Sequence, residues 1–181
     1  MRALAVVAAA SAALLVAGCA APRQGLRSSP LVGHTVEIAA LDLTGDREVR
    51  LAEGAAKVRV VDFWATWCDP CREQLPFLDR LSSEYGPRGL SVTGVAFDED
   101  RVAVERFLEH TPVSFQVLWD KGGAGLAERL EVTRLPTTLV LDRRGVVRDV
   151  HLGFDRDEAR GIEDTVKRLL SEADEAPEPA P

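Results

Sequence analysis

The stretch VDFWATWCDPCR, residues 61–72, decides the fold of this chain because it joins a strand signal to a helix signal. The run from Lys57 to Ala65 is rich in β-branched and aromatic residues and has no Gly or Pro, which predicts a strand buried on both faces. Beyond it, apolar residues recur at helical spacing at Leu75, Leu78 and Leu81. The cysteine pair within the stretch therefore falls where a buried strand gives way to a helix.

That position gives the two thiols of Cys68 and Cys71 different expected roles. Cys68 lies at the helix N-terminus, where free backbone N–H groups and the helix dipole stabilise a thiolate, so it is the expected attacking sulfur. Cys71 lies one turn further along and is the expected resolving thiol. Pro70 fixes a backbone dihedral near the start of the helix and limits rearrangement of the pair.

Two structural roles compete with this redox interpretation. A zinc site would need further ligands, but the domain has no other cysteine, and its histidines are scattered without ligand spacing at His34, His110 and His151. A purely structural disulfide would close so short a loop that it would constrain the unfolded chain little. The spacing and the strand–helix context therefore favour thiol–disulfide exchange, with the Cys68–Cys71 disulfide as the redox group and no separate cofactor.

The rest of the chain alternates strand and helix signals. Strands are expected at 90–97 and 114–119, helices at 102–109 and 125–130, a hairpin at 137–141 and 146–150, and a closing amphipathic helix at 155–170. The segment between Gly33 and Leu51 predicts an additional N-terminal hairpin. Together these elements predict an α/β fold, a central mixed sheet flanked by helices with its central strands parallel and one edge antiparallel.

Size and charge indicate one globular domain and argue against nucleic-acid binding. The chain has 181 residues and a formal net charge of −7, and neither sign of charge is gathered into a long block. This size suits one globular domain with a substantial core. Because no basic patch is visible, we expect no nucleic-acid partner.

The N-terminal segment predicts export and lipid attachment. Met1-Arg2 precedes an Ala/Leu/Val run of signal-peptide length that is too short for a comfortable membrane span, which needs about 20 residues. The small residues before Cys19 resemble a bacterial lipobox, so residues 1–18 are interpreted as a lipoprotein signal peptide and Cys19 as the lipidated residue that binds the bilayer. Residues 19–32 are expected to form a tether, 33–172 the folded domain and 173–181 a disordered acidic, Pro-rich tail.

The stretch FWATWC at residues 63–68, with Pro70 and Cys71-Arg72 after it, resembles the active-site segment of the TlpA/ResA-like thiol–disulfide oxidoreductases of the thioredoxin superfamily. The resemblance covers about residues 33–170 and implies a thioredoxin fold. It also implies a helix–strand–helix insert, which matches the elements predicted independently between 102 and 130.

Leu135-Pro136 followed by two threonines resembles the cis-proline loop of that family. The resemblance implies that Pro136 faces the cysteines and that Leu135 offers its backbone to a substrate strand. Trp67 and Pro70, which flank Cys68, complete the expected substrate-binding set.

Two acidic residues are candidate catalytic groups. Asp62 interrupts an apolar strand, where desolvation would raise its pKa and suit it as a proton acceptor near neutral pH. TlpA/ResA-like proteins commonly carry Asn there, whereas thioredoxin carries a buried Asp. Glu99 matches a Glu that lies near the cysteines in ResA-like proteins, although three adjacent acids are also typical of a solvated loop.

These features predict a lipid-anchored thiol–disulfide oxidoreductase of the bacterial envelope, with its domain outside the cytoplasmic membrane. Asp69 opposes the Cys68 thiolate and favours reduction of client disulfides. The resemblance implies client proteins as substrates, for example in cytochrome c maturation, and a membrane thiol electron donor. The alternatives are a peroxiredoxin-like peroxidase and a copper-delivery module; the CxxC spacing and the lack of a recognisable ligand histidine disfavour them.

Overall fold

A computed structural model describes residues 29–51 and 56–175 of the chain. Seven strands and four α-helices follow one another in the described ranges: β1 (Ala39–Asp42), β2 (Glu48–Arg50), β3 (Val58–Trp64), α1 (Asp69–Tyr85), β4 (Leu90–Ala96), α2 (Arg101–His110), β5 (Gln116–Trp119), α3 (Leu126–Arg129), β6 (Thr137–Asp142), β7 (Val147–Leu152) and α4 (Arg156–Glu175). Short 3-10 turns follow α1 and β5.

All seven strands belong to one mixed sheet in the order β2-β1-β5-β4-β3-β6-β7. The three central strands β5, β4 and β3 run parallel, and β6, β7, β1 and β2 pair antiparallel at the two sides. The structure thus confirms the α/β mixed sheet, although both edges rather than one are antiparallel, because the N-terminal hairpin β1–β2 adds to the side opposite β7.

The core lies in two layers, one on each face of the sheet. Strand β3 is buried along its whole length, and its alternate side chains enter different layers. Val60 and Trp64 pack with helices α1, α2 and α4, whereas Val61 and Phe63 pack with α3 and the N-terminal segment. Burial on both faces explains why the sequence of β3 is a nearly continuous apolar run.

The structure confirms the predicted insert and the closing elements. Helix α2, strand β5 and helix α3 fill the segment between β4 and β6, as the helix–strand–helix expectation requires. Strands β6 and β7 form the predicted hairpin. Asp155 caps α4, because its carboxylate accepts hydrogen bonds of 2.8 Å from the backbone N–H groups of Asp157 and Glu158.

Both expected boundaries of the folded domain need correction. Helix α4 continues to Glu175, past the expected start of the tail at 173, and Asp174 near its end forms ion pairs with Lys57 and Arg88. At the other end, Leu31 packs against the core, so the last residues of the expected tether already belong to the fold. The predicted signal peptide, Cys19 and residues 176–181 lie outside the described residues.

Within 29–51 and 56–175, no helix combines the length and the apolar character that a membrane crossing requires.

Candidate active site

The dithiol occupies the N-terminus of α1. Cys68 is the N-cap residue, with an extended backbone (φ −90°, ψ 105°), and Pro70 stands in the first turn of this 17-residue helix. The two sulfurs are joined in a disulfide. Cys68 retains 6% of its surface exposed, whereas Cys71 is completely buried. Only Cys68 can therefore meet an incoming disulfide directly, and it lies where the helix dipole favours its thiolate.

A cleft opens beside Cys68 between two loops and the end of β4. Its lining residues are Trp67, Cys68, Pro70, Phe97, Val132, Thr133, Arg134 and Leu135. Trp67 is 66% exposed, which is unusual for a large aromatic side chain, and forms part of the rim. The Leu135–Pro136 peptide bond is cis, as the resemblance implied. Most of the lining residues of the cleft are apolar, and Arg134 is the one cationic side chain among them.

The loop before Cys68 is held from both sides. Asp98, buried at the end of β4, accepts a hydrogen bond of 3.1 Å from the Thr66 backbone N–H and another from the Thr66 hydroxyl. The Arg72 guanidinium donates to the Thr66 carbonyl at 2.7 and 2.9 Å. These contacts tie the loop to β4 and to the first turn of α1, and so they fix the position of the Cys68 backbone.

Asp62 lies in β3, between Val60 and Trp64 on the face covered by α1. Its side chain is completely buried, and Oδ1 accepts hydrogen bonds from Gln74 Nε2 at 3.0 Å and from Thr138 Oγ1 at 2.8 Å. Burial raises the pKa of Asp62 to about 7, because the charged form loses its water, while the two hydrogen bonds act in the opposite direction. The carboxyl group can therefore exchange a proton near neutral pH.

Four of the predicted site residues line the cleft, whereas Cys71, Asp62, Pro136 and Glu99 are not among its lining residues. Cys68, Trp67, Pro70 and Leu135 all line it. Glu99 does not: it is exposed, and its carboxylate lies against Gly122 in the turn after β5. The preceding acid, Asp98, points inwards to the active-site loop instead.

Sequence reasoning did not identify Phe97, Val132, Thr133 and Arg134 as cleft residues, nor Asp98 and Gln74 as polar supports of the site. The first three are ordinary apolar or small residues that only the fold brings to Cys68. Gln74 carried a usable signal, since it occurs on the apolar face of α1 beside Leu75 and Leu78.

No cluster of three or more potential metal-ligating side chains occurs among residues 29–51 and 56–175.

The mixed sheet, the dithiol at a helix N-terminus and the neighbouring cis-proline together define a thioredoxin-fold dithiol protein. Residues 31–169 match the model of the Redoxin family. The chain belongs to that family and, within the thioredoxin superfamily, to its TlpA/ResA-like thiol–disulfide oxidoreductases.

Individual relatives agree with this placement. The thioredoxin-like protein YneN from Bacillus subtilis is 34% identical over 114 residues, which cover 61% of this chain and 65% of YneN. The thiol-disulfide oxidoreductase ResA from Geobacillus kaustophilus is 30% identical over 128 residues, 70% of this chain and 72% of that relative. The chain spans just under two thirds of the length of YneN.

Among solved structures, a protein assigned as the thiol:disulfide interchange protein DsbE from Chlorobium tepidum superposes with a TM-score of 0.70. It is 28% identical, and the match covers 77% of this chain and 97% of the other.

Proposed function

We propose that this protein is a thiol–disulfide oxidoreductase that reduces disulfides in client proteins of the bacterial envelope. One observation carries the proposal: Cys68 lies at a helix N-terminus on an open apolar cleft, with Cys71 completely buried behind it. This asymmetry separates an attacking sulfur from a resolving sulfur. The names of the ResA relatives support the same activity.

The reaction consists of two exchange steps. The Cys68 thiolate attacks one sulfur of a client disulfide, which forms a mixed disulfide and releases the first client thiolate. Cys71 then loses its proton and attacks the Cys68 sulfur. The Cys68–Cys71 disulfide forms, the second client thiolate leaves, and two electrons have passed to the client. A dithiol donor must return the pair to the reduced state before the next cycle.

Asp62 is the proposed acceptor for the Cys71 proton. It lies on the face of β3 that α1 covers, and it is hydrogen-bonded to Gln74, three residues after Cys71 on the same buried face of α1. A carboxyl group with a pKa of about 7 is ionised in part of the population at neutral pH and can take this proton. In re-reduction, the acid form can return it to the Cys71 thiolate.

The cleft offers an extended client segment both backbone and side-chain contacts. Leu135, before Pro136, lies beside Cys68 and can pair through its backbone with the client strand. Trp67 and Pro70 supply apolar contact on the other side. Cytochrome c maturation, with a membrane thiol protein as electron donor, is the setting that we propose for these clients.

Reduction is the proposed direction of net electron flow. The Asp69 carboxylate lies next to Cys68 in sequence, is 90% exposed, and approaches Arg72 at 3.7 Å. A negative charge at this position opposes the thiolate and stabilises the oxidised pair, so the reduced pair is the stronger electron donor.

Lipid attachment at Cys19 would hold the domain close to the membrane. Ten positions separate Cys19 from Ser29, the first described residue, and this length reaches at most roughly 35 Å when fully extended. A tether of this length would restrict clients and donors to those at or near the membrane surface. We propose this arrangement, on the outer side of the cytoplasmic membrane, from the lipobox-like sequence.

Insulin reduction driven by dithiothreitol tests the activity. We expect the full-length chain, purified in detergent, to accelerate insulin precipitation, and Cys68→Ser to abolish the acceleration. Cys71→Ser should instead trap a stable mixed disulfide through Cys68. A copper titration run in parallel separates the copper-delivery alternative: tight copper binding without insulin reduction would contradict the proposal.

Labelling with a fatty-acid analogue tests the anchor. The wild-type chain should incorporate the label in a bacterial host, and Cys19→Ser should not. Cys68→Ser is the matched control, because it removes a cysteine outside the lipobox-like sequence and should leave the labelling unchanged. Labelling that persists in Cys19→Ser would contradict the proposed anchor.

A further inference from the structure

A buried group of three polar side chains lies beneath the dithiol, formed by Asp62 from β3, Gln74 from α1 and Thr138 from β6. Gln74 Nε2 donates to Asp62 Oδ1 at 3.0 Å and to Thr138 Oγ1 at 2.6 Å. The Thr138 hydroxyl donates to the same Asp62 oxygen at 2.8 Å. These bonds fix the orientation of the Gln74 amide, because a reversed amide would place its oxygen against Asp62 Oδ1.

Two buried atoms of this group have no hydrogen-bond partner among the described residues: Asp62 Oδ2 and Gln74 Oε1. Both are acceptors when Asp62 is ionised, and buried acceptors without a donor are unfavourable. Their two side chains are already hydrogen-bonded to each other through Gln74 Nε2 and Asp62 Oδ1. A proton on Asp62 Oδ2 would turn this atom into a hydroxyl donor, and Gln74 Oε1 could accept its hydrogen bond.

We propose that Asp62 carries its proton on Oδ2 and donates it to Gln74 Oε1, so that acid and amide form a pair closed by two hydrogen bonds of opposite direction. Gln74 is then a positioning residue for the proton of the redox site. The proposal extends the proposed function, in which Asp62 exchanges a proton with Cys71.

The pairing makes Gln74 sensitive to the protonation state of Asp62. When the proton leaves, Asp62 Oδ2 and Gln74 Oε1 face each other as two acceptors, and the second bond is lost. The contact between Asp62 Oδ2 and Gln74 Oε1 therefore favours the acid form, whereas the hydrogen bond from Gln74 Nε2 to Asp62 Oδ1 lowers the pKa of Asp62. Because Gln74 and Cys71 share one buried face of α1, proton release at Asp62 is coupled to the helix that carries the resolving cysteine.

Thr138 and Gln74 provide the polar contacts of the buried Asp62 side chain. The neighbouring strands place Gly94 and Thr138 beside it in register. Helix α1 contributes Gln74, which is hydrogen-bonded to Asp62, and buries Cys71 on the same face. The residues that α4 buries in this layer, Ile162, Thr165, Val166, Leu169 and Leu170, are uncharged. The raised pKa of Asp62 follows from burial, opposed only by Thr138 and Gln74. The Cys71 thiol, when reduced, is the one further titratable group among these.

Exchanging the acid and the amide tests the pairing. Gln74→Glu alone places two carboxyl groups in one buried site, so its unfolding equilibrium constant at pH 8 should rise by at least tenfold. Adding Asp62→Asn restores an acid–amide pair with its members exchanged, and it should recover most of this loss. The matched control is Asp62→Leu with Gln74→Glu, which removes the repulsion but leaves nothing to pair; it should not recover.

Infrared spectroscopy gives a second measurement that does not depend on stability. A protonated carboxyl C=O band that shifts in D2O should be present at pH 6 in the wild type and in the exchanged double variant, and it should be absent in Asp62→Asn. The band position should match in the two proteins that have the pair. The proposal would be overturned if both double variants lost the same amount of stability. It would also be overturned if the wild type showed no such carboxyl band.

Insulin reduction by the same proteins is scored separately, so failure of the activity and failure of the pairing remain distinguishable. If the pair acts on catalysis, the exchanged variant keeps a pH-dependent rate, with its midpoint shifted, whereas Asp62→Asn loses that dependence. A wild-type protein that shows the band and the rescue but no insulin reduction would contradict the proposed function alone.

Discussion

Replacing Asp62 with asparagine should change how the stability of the protein depends on pH. Burial raises the pKa of Asp62 from 3.8 to about 7. Between these values the folded chain holds a proton that the unfolded chain has released. The free energy of unfolding contributed by this group therefore falls as pH rises from about 4 to about 7, and it is constant above that range.

The size of the effect follows from the gap between the two pKa values. A gap of about 3 units corresponds to ~4 kcal/mol, because each unit is worth about 1.4 kcal/mol. The introduced asparagine has no proton to lose and can still exchange two hydrogen bonds with Gln74. The variant should thus unfold with a free energy close to that of the wild type at pH 4, and it should be more stable by up to ~4 kcal/mol at pH 8.

Urea denaturation of the oxidised full chain at one-unit pH steps measures this difference directly. Subtracting the wild-type curve from the variant curve removes the groups that titrate in both proteins. Asp69→Asn is the matched control, because it removes a carboxyl group that is exposed instead of buried. Parallel curves for the wild type and Asp62→Asn would refute the account of a buried acid with a raised pKa.

Two further predictions concern the residues around Cys68. Asp69→His should lower the Cys68 pKa, because it replaces a negative charge beside the thiolate, and it should raise the reduction potential. Iodoacetamide rates measured against pH check this, and an unchanged or higher pKa would contradict it. Asp98→Ala should lower the free energy of unfolding in urea by about 1–3 kcal/mol, because it leaves the Thr66 backbone N–H without its acceptor. Glu99→Gln, in contrast, should change neither stability in urea nor insulin reduction. A larger loss of insulin reduction in Glu99→Gln than in Asp98→Ala would restore the role that family resemblance assigned to Glu99.

The sequence was sufficient to predict the order of the elements, because the signals are strong and local. Strand β3 is a nearly continuous apolar run, and the helical repeat of α1 begins directly after it. The N-terminal hairpin was also correct. Its position in the sheet could not be predicted, since the pairing of β1 with β5 joins residues that are far apart in the sequence, such as Leu41 and Trp119.

The candidate site was predictable where one residue carries its own chemical signal. Cys68, Cys71 and the cis-proline at Pro136 stand in recognisable local motifs, and a carboxyl group within an apolar strand already implies the burial of Asp62. The choice between Asp98 and Glu99 depends on which way the chain turns after β4, and adjacent acids give no local indication of that. The contact of Gln74 with Asp62 depends on how α1 packs on β3, which is a tertiary property.

Alkylation of the reduced protein tests the central claim, that the attacking and resolving sulfurs differ in exposure and ionisation. The full-length chain is reduced, treated briefly with iodoacetamide at a series of pH values, and its modified cysteines are identified by mass spectrometry. We expect Cys68 to react first, with a pKa below the value of about 8.5 for an ordinary thiol, and Cys71 to stay protected. Equal labelling of both cysteines, or labelling of Cys71 first, would contradict the account.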